Sequence, residues 1–166
     1  ALKYYAYFNS TAWSGVTSVR YKVEIHDSTF SGSATSICTG SSPFTEKELN
    51  NEDVPWGIKG CRFDIEIVSD VVTVDDFYTQ EGMSHRVKLY EAPLVGDMIL
   101  IRDGYLLSED VQEVYQDGIK VIQISGTDGI ELLKTIPFEF SVDKPYSGVM
   151  TGLLLLQRCL TPIGLG

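Results

Sequence analysis

Val121-Ile122-Gln123-Ile124-Ser125-Gly126-Thr127-Asp128-Gly129-Ile130-Glu131-Leu132-Leu133-Lys134 decides how this chain is read. Alternating side chains run as far as Ile124, the period of a strand. Gly126 then marks a turn. Asp128 stands where a helix N-cap belongs, and Glu131, three residues on, completes a capping-box arrangement with Asp in place of Ser or Thr. Ile130, Leu133 and Lys134 begin a short helix that Pro137 ends at or before Ile136. Gly126, Asp128, Gly129 and Glu131 are therefore expected to build a structural turn and cap.

Downstream, Phe138 to Val142 alternates as a brief strand. Ser147 caps a second helix running to about Leu160, with Pro162 and Gly164 as stop signals. Val149, Met150, Leu153 to Leu156 and Leu160 nearly encircle it. Such a helix is covered by its own domain or by a partner. Residues 147–161 are thus a candidate interface or the start of a following domain. Val149, Met150, Leu153, Leu156 and Leu160 are the candidate oligomer contacts.

Upstream, the chain reads as β structure. Leu2 to Phe8 is Tyr-rich, and Val19 to Ile25 alternates strictly, as do Phe63 to Ile67 and Arg86 to Tyr90. Met98 to Ile101 is a fuller apolar run, the pattern of a strand covered on both faces. Ile119 to Ile124 closes the series. Ser31-Gly32-Ser33 lies between strands, Thr39 to Pro43 reads as a linker, and Leu49 to Pro55 is polar and acidic. Asp103-Gly104 and Asp117-Gly118 are hairpin signals. Tyr105 to Gln116 between them reads as a long connection or an irregular strand pair.

The 166 residues suit one domain with its own core. Charged residues at 22% and apolar ones at 43% are ordinary for a globular protein. The longest apolar run, Leu153 to Leu156, is too short to cross a bilayer, and no signal peptide opens the chain. The net charge of −10 argues against wrapping nucleic acid. Between Asp64 and Asp117 thirteen Asp or Glu face three Lys or Arg, a solubilising surface or an acidic face that repels DNA. Cys38, Cys61 and Cys159 have no CxxC spacing, which favours buried free thiols.

Catalytic chemistry finds little support. His26 and His85 lie far apart, and neither stands in a metal motif. Val71 to Tyr78 reads as a strand ending in a polar turn, so Asp75 and Asp76 would point to opposite faces. Ser125 to Gly129 resembles a phosphate loop only superficially. It has no Walker lysine, and Asp128 would repel an anion. No cofactor or metal is expected. Most of the nine tyrosines, among them Tyr4, Tyr5, Tyr7, Tyr21 and Tyr90, sit in predicted strands, where rings pack well.

The order of a β-rich body, VIQISGTDGIELL and the apolar helix SGVMTGLLLLQRCLTPIG resembles baseplate or tail hub proteins of phages and related injection systems. Ile122, Ile124, Gly126, Asp128, Leu132 and Leu133 occupy that family's strand-to-helix positions. ILIRDGYLLSEDVQEVYQDGIKVIQISGTDGIELLK is closer still to tail proteins of Bacteroidetes phages and prophages. Gly104, Leu106, Asp110, Tyr115, Thr127, Asp128, Gly129 and Lys134 match there, while Ser125-Gly126 departs slightly. The similarity covers roughly residues 85–166. It implies a mainly β, α+β fold: a tail-tube-like β-barrel or sandwich with two short helices, the second at the C-terminus. It also implies a non-enzymatic virion structural protein, made in the bacterial cytoplasm and placed in the tail. Such a hub forms a homo-oligomeric ring, a trimer, that joins the tail tube to spike or tip proteins. DNA passes without specific binding, and part of the acidic 64–117 region would face the lumen. Known hubs are longer, so the chain is expected to be the N-terminal part of one. The competing reading is a β-sandwich that binds glycan or a cell surface, on the strength of its tyrosines, Trp13 and Trp56.

Overall fold

The computed structural model describes residues 1–11, 18–48, 60–78, 84–116, 119–129, 139–141, 144–145, 157 and 161. The fold is mostly β, as expected. The main sheet holds nine strands. They are β1 (Leu2–Thr11), β2 (Ser18–Asp27), β3 (Thr35–Ser36), β4 (Cys38–Glu48) and β5 (Cys61–Val68). The others are β6 (His85–Glu91), β7 (Ile99–Leu106), β8 (Gln112–Gln116) and β9 (Ile119–Thr127). Their order is β3-β1-β2-β6-β7-β9-β5-β4, with β8 also paired to β9. Every pairing is antiparallel except β1 with β3. A separate hairpin joins β10 (Glu139–Ser141) to β11 (Lys144–Pro145).

The sheet is not closed into a barrel. It folds at β7, which meets β9 only through Tyr105↔Thr127 and Leu106↔Gly126. Strands β1-β2-β6-β7 form one layer and β9-β5-β4 the other. Tyr4, Ala6, Val23, Ile25, Val87 and Leu89 of the first layer pack against Phe63, Ile65, Ile67, Ile122 and Ile124 of the second. Val72 and Phe77 join the same core. At the opposite margin Ile37 links the layers, its amide donating to the Tyr5 carbonyl at 2.9 Å just before β4 begins. Each buried Val, Ile or Phe stabilises this arrangement by about 1.5–3 kcal/mol relative to exposure.

Strict alternation puts these residues inward. In β5, Phe63, Ile65 and Ile67 are buried while Asp64 is exposed and Arg62 and Glu66 are half-buried. In β6, Val87 and Leu89 turn inward, with Arg86, Lys88 and Tyr90 on the other face. The expected strands Leu2–Phe8, Val19–Ile25, Phe63–Ile67, Arg86–Tyr90 and Ile119–Ile124 all form. β8 pairs with β9 from Gln112↔Gln123 to Gln116↔Ile119, and the expected Asp117-Gly118 turn between them lies outside the described residues.

Several expectations need correction. Asp103-Gly104 is no turn; both residues lie inside β7, because the pairing with β6 continues through them from Glu91↔Ile99 to Arg86↔Tyr105. Met98 to Ile101 is not covered on both faces: Met98, Ile99 and Leu100 are exposed. Thr39 to Pro43 is a bulge in β4 rather than a linker. There the Ser42 amide donates to Glu66 at 2.8 Å, and a Cβ at Gly40 would collide with that carboxylate side chain. Val71 to Asp76 forms a 3-10 helical turn over Val74–Asp76 instead of a strand. Tyr105 to Gln116 comprises the end of β7, a 3-10 turn at Ser108–Asp110, and β8. Of the two described cysteines, Cys38 is exposed and Cys61 is buried.

The two expected helices fall largely outside the described residues, as do Glu131, Val149, Met150, Leu153, Leu156 and Leu160. So do Leu49 to Pro55, Trp13, Trp56 and Cys159. Gln157 is helical, and the Thr161 hydroxyl donates to its carbonyl at 2.8 Å.

Candidate functional site

Gly126, expected to mark a turn, lies inside β9, paired with Phe63 and Leu106, and the end of this strand is built by close backbone approach. The Phe63 ring lies against Gly126 and Gly104, so a side chain at either glycine would displace it. A Cβ at Gly126 would also stand 2.8 Å from the Tyr105 carbonyl oxygen. Phe44 stacks on the other side of Phe63, with centroids 5.3 Å apart. Asp128 extends the β5–β9 pairing: its amide donates to the Cys61 carbonyl at 3.1 Å, and its carboxylate accepts from the Cys61 amide at 2.8 Å. Gly129 follows with φ +85, a conformation that glycine adopts without strain. The Asp128 amide and carboxylate thus engage the Cys61 backbone, while the Gly129 amide donates to the Thr127 hydroxyl at 3.3 Å.

A polar cluster caps one end of the core. Register brings Asp27 of β2 opposite His85 of β6, although they are far apart in sequence. Lys3 Nζ donates to the Asp27 carboxylate at 3.2 Å and to the Asp76 carbonyl at 3.1 Å. The Thr29 amide and hydroxyl donate to Asp27 at 2.8 and 2.7 Å. Burial works against the Asp27 carboxylate, but Thr29, Lys3 and the neighbouring imidazole outweigh it and hold the group well below its usual range. His85 is almost fully buried, and burial pulls its imidazole below the ordinary value. Its Nε2 lies 3.4 Å from Asp27 without a hydrogen bond among the described residues. Burial and then the Asp76 carboxylate push the Tyr4 phenol up to about 12.

Asp75 and Asp76 do not converge. The Asp76 carboxylate accepts from the Thr73 amide at 2.9 Å, while Asp75 is exposed. Among the described residues, no three His, Cys, Asp or Glu gather as metal ligands. No described helix is long and apolar enough to cross a membrane.

A cleft of about 450 Å³ opens between the layers, walled by Phe8, Tyr21, Phe44, Leu89 and Ile101. Arg102 and Glu46 close its polar side, with Nε to Oε1 at 2.9 Å. Burial and then Glu46 push the adjoining Cys61 thiol up to about 12. A thiol so suppressed is a poor nucleophile.

The largest departure from ordinary surface chemistry is the β6–β7 hairpin. Leu94 is 86% exposed, Val95 90% and Ile99 59%, with Met98 and Leu100 exposed beside them. Gly96, at φ +106, lets the tip turn. Isolated exposed apolar residues are common; five within seven consecutive positions form a patch of the kind that marks association sites. Beyond Tyr105, β7 has no partner on its β9 side, which leaves Ile99 to Asp103 as a free edge among the described residues. The sequence signal was present in Met98 to Ile101, but hydrophobicity alone read as coverage.

The outer faces of the two layers differ in charge. On β1-β2-β6-β7 the outward set includes Tyr5, Tyr7, Arg20, Lys22, Arg86 and Lys88. The Arg20 guanidinium lies 4.1 Å from the Tyr7 ring centroid, and Lys22 lies 5.3 Å from that of Tyr5. Glu24 and Asp103 share this face: Lys22 donates to Glu24 at 2.5 Å, and Arg86 grips Asp103 through two bonds of 2.6 Å. On β5-β9-β8 the outward side is a shallow depression of about 330 Å³ whose lining includes Asp64, Glu66, Asp110, Gln123 and Ser125. Ser125 donates to Asp64 at 2.6 Å, and Arg62 pairs with Asp110. No protein-family model matches the chain, and no match was found for it among curated proteins or solved structures.

Proposed function

We propose that this chain is a structural subunit of a phage tail or baseplate hub, or of a related injection machine, and works by assembly rather than turnover. The exposed apolar β6–β7 hairpin carries the reading. Solvating five large apolar side chains costs free energy that an interface recovers, at about 25 cal/mol per Å² buried. The unpaired β7 edge beside it can receive a strand from a neighbour. Together with the resemblance of residues 85–166 to tail hubs, this favours a homo-oligomeric ring, a trimer, set between tail tube and spike or tip, through which DNA passes unbound.

The glycan-binding alternative draws on Tyr5, Tyr7, Tyr90 and Tyr105, which share one sheet face. Arg20, Lys22 and Arg86 already lie over three of those rings, so few bare stacking surfaces remain for a sugar.

Sedimentation velocity and negative-stain microscopy test the assignment, on the chain alone and mixed with a phage tail-tube protein. Rings that lose cohesion in a Leu94→Ser/Val95→Ser/Ile99→Ser variant are expected. A monomer at every concentration, with no affinity for tube protein, would overturn it.

A further inference from the structure

We propose that copies of this chain associate head to tail, the cationic tyrosine face of β1-β2-β6-β7 on one copy seating against the acidic β5-β9-β8 face of the next. This rests on the assembly reading and names the partner surface.

Three observations support it. The two faces belong to opposite layers of one sandwich, so they point away from each other and cannot satisfy one another within a single chain. Their charges complement: Arg20, Lys22, Arg86 and Lys88 against Glu24 and Asp103 leave two net positive charges. Asp64, Glu66 and Asp110 against Lys47 and Arg62 leave one net negative charge. The cationic face also runs into the apolar hairpin, because Leu100 pairs with Tyr90 and shares its side of the sheet. An apolar centre bordered by charged and aromatic residues is ordinary interface anatomy.

A second copy fits better than a polyanion. Two of the four cations are neutralised by Glu24 and Asp103, and the chain as a whole carries −10, which repels nucleic acid at long range. The neighbour's acidic face supplies local charge of opposite sign. Contacts between unlike faces propagate, and they close into a ring when the rotation per copy divides a full turn.

The test uses two charge-reversed variants of the chain, Arg20→Glu/Lys88→Glu and Asp64→Lys/Glu66→Lys. Thermal melting confirms that each is folded. Sedimentation velocity is then run between about 50 and 500 mM NaCl, a range over which screening of exposed charges becomes severe. Wild-type association is expected to weaken roughly tenfold with salt, and each variant alone to lose association at low salt. An equimolar mixture of the two regains it, because each reversed face then meets its reversed counterpart. The proposal is overturned if either variant associates like wild type, if mixing restores nothing, or if no association occurs at any salt. Association that ignores salt and charge reversal, yet fails in the Leu94/Val95/Ile99 serine variant, would sink this pairing while leaving the hub reading in place.

Discussion

The Phe63 ring occupies the space that a side chain at Gly126 would need. Register makes the two residues direct partners across β5 and β9, and Gly104 on β7 meets the same ring. Three strands therefore converge on one aromatic residue at the corner where the sheet folds.

Gly126→Ala should accordingly destabilise the fold by about 1–3 kcal/mol, the usual range for overpacking a filled site. Urea unfolding measures the loss. Combining it with Phe63→Leu should return part of the stability, giving a coupling energy in a double-mutant cycle. Strictly additive effects would show that ring and glycine do not meet.

Acid should weaken the fold in two ranges. The folded-state pKa of His85 lies below its ordinary 6.5, so the folded chain binds fewer protons than the unfolded one. Stability then declines as pH falls below about 6.5. Asp27 is also depressed, so its contribution is present above its ordinary 3.8 and is lost at still lower pH. Melting temperatures from pH 7.5 to 5 should fall for the wild type and flatten in His85→Gln. An equal slope in both proteins would remove His85 from this account.

The Arg86–Asp103 pair has good bidentate geometry but is well hydrated, with side chains 39% and 20% exposed. Its coupling energy should be about 0.5–1 kcal/mol and should shrink in high salt. A double-mutant cycle with Arg86→Met and Asp103→Asn checks this, and a value several times larger would contradict the hydration argument.

Thiol labelling should separate the cysteines. In a Cys159→Ser background, Cys38 should react with a disulfide reagent at the rate of an open thiol at pH 8. Cys61, buried and pushed up to about 12, should stay unlabelled until urea unfolds the chain. Equal rates in the native protein would refute the burial of Cys61.

The serine substitutions in the hairpin carry a fifth expectation for the isolated chain. Leu94 and Val95 make no core contacts, so Leu94→Ser and Val95→Ser should each change stability by less than about 0.5 kcal/mol. A loss of several kcal/mol in urea unfolding would mean that the hairpin tip is covered within the chain.

Local alternation was enough to determine the strands and their inward residues. Val23, Ile25, Phe63, Ile65, Val87, Leu89, Ile122 and Ile124 face the core because a period of two is written in neighbouring residues. What the sequence could not hold was which strand lies beside which. That choice placed Asp103-Gly104 inside β7, brought His85 to Asp27, and set Lys22, Glu24 and His26 opposite Tyr90, Lys88 and Arg86. It also left Met98 to Leu100 in solvent, where hydrophobicity alone implied a covered strand. Burial depends on what packs over a residue, and those partners are supplied by strands remote in sequence. Gly126 shows both contributions: the glycine was legible locally and read as a turn, but it lies inside β9, and the demand for glycine comes from Phe63, more than sixty residues earlier.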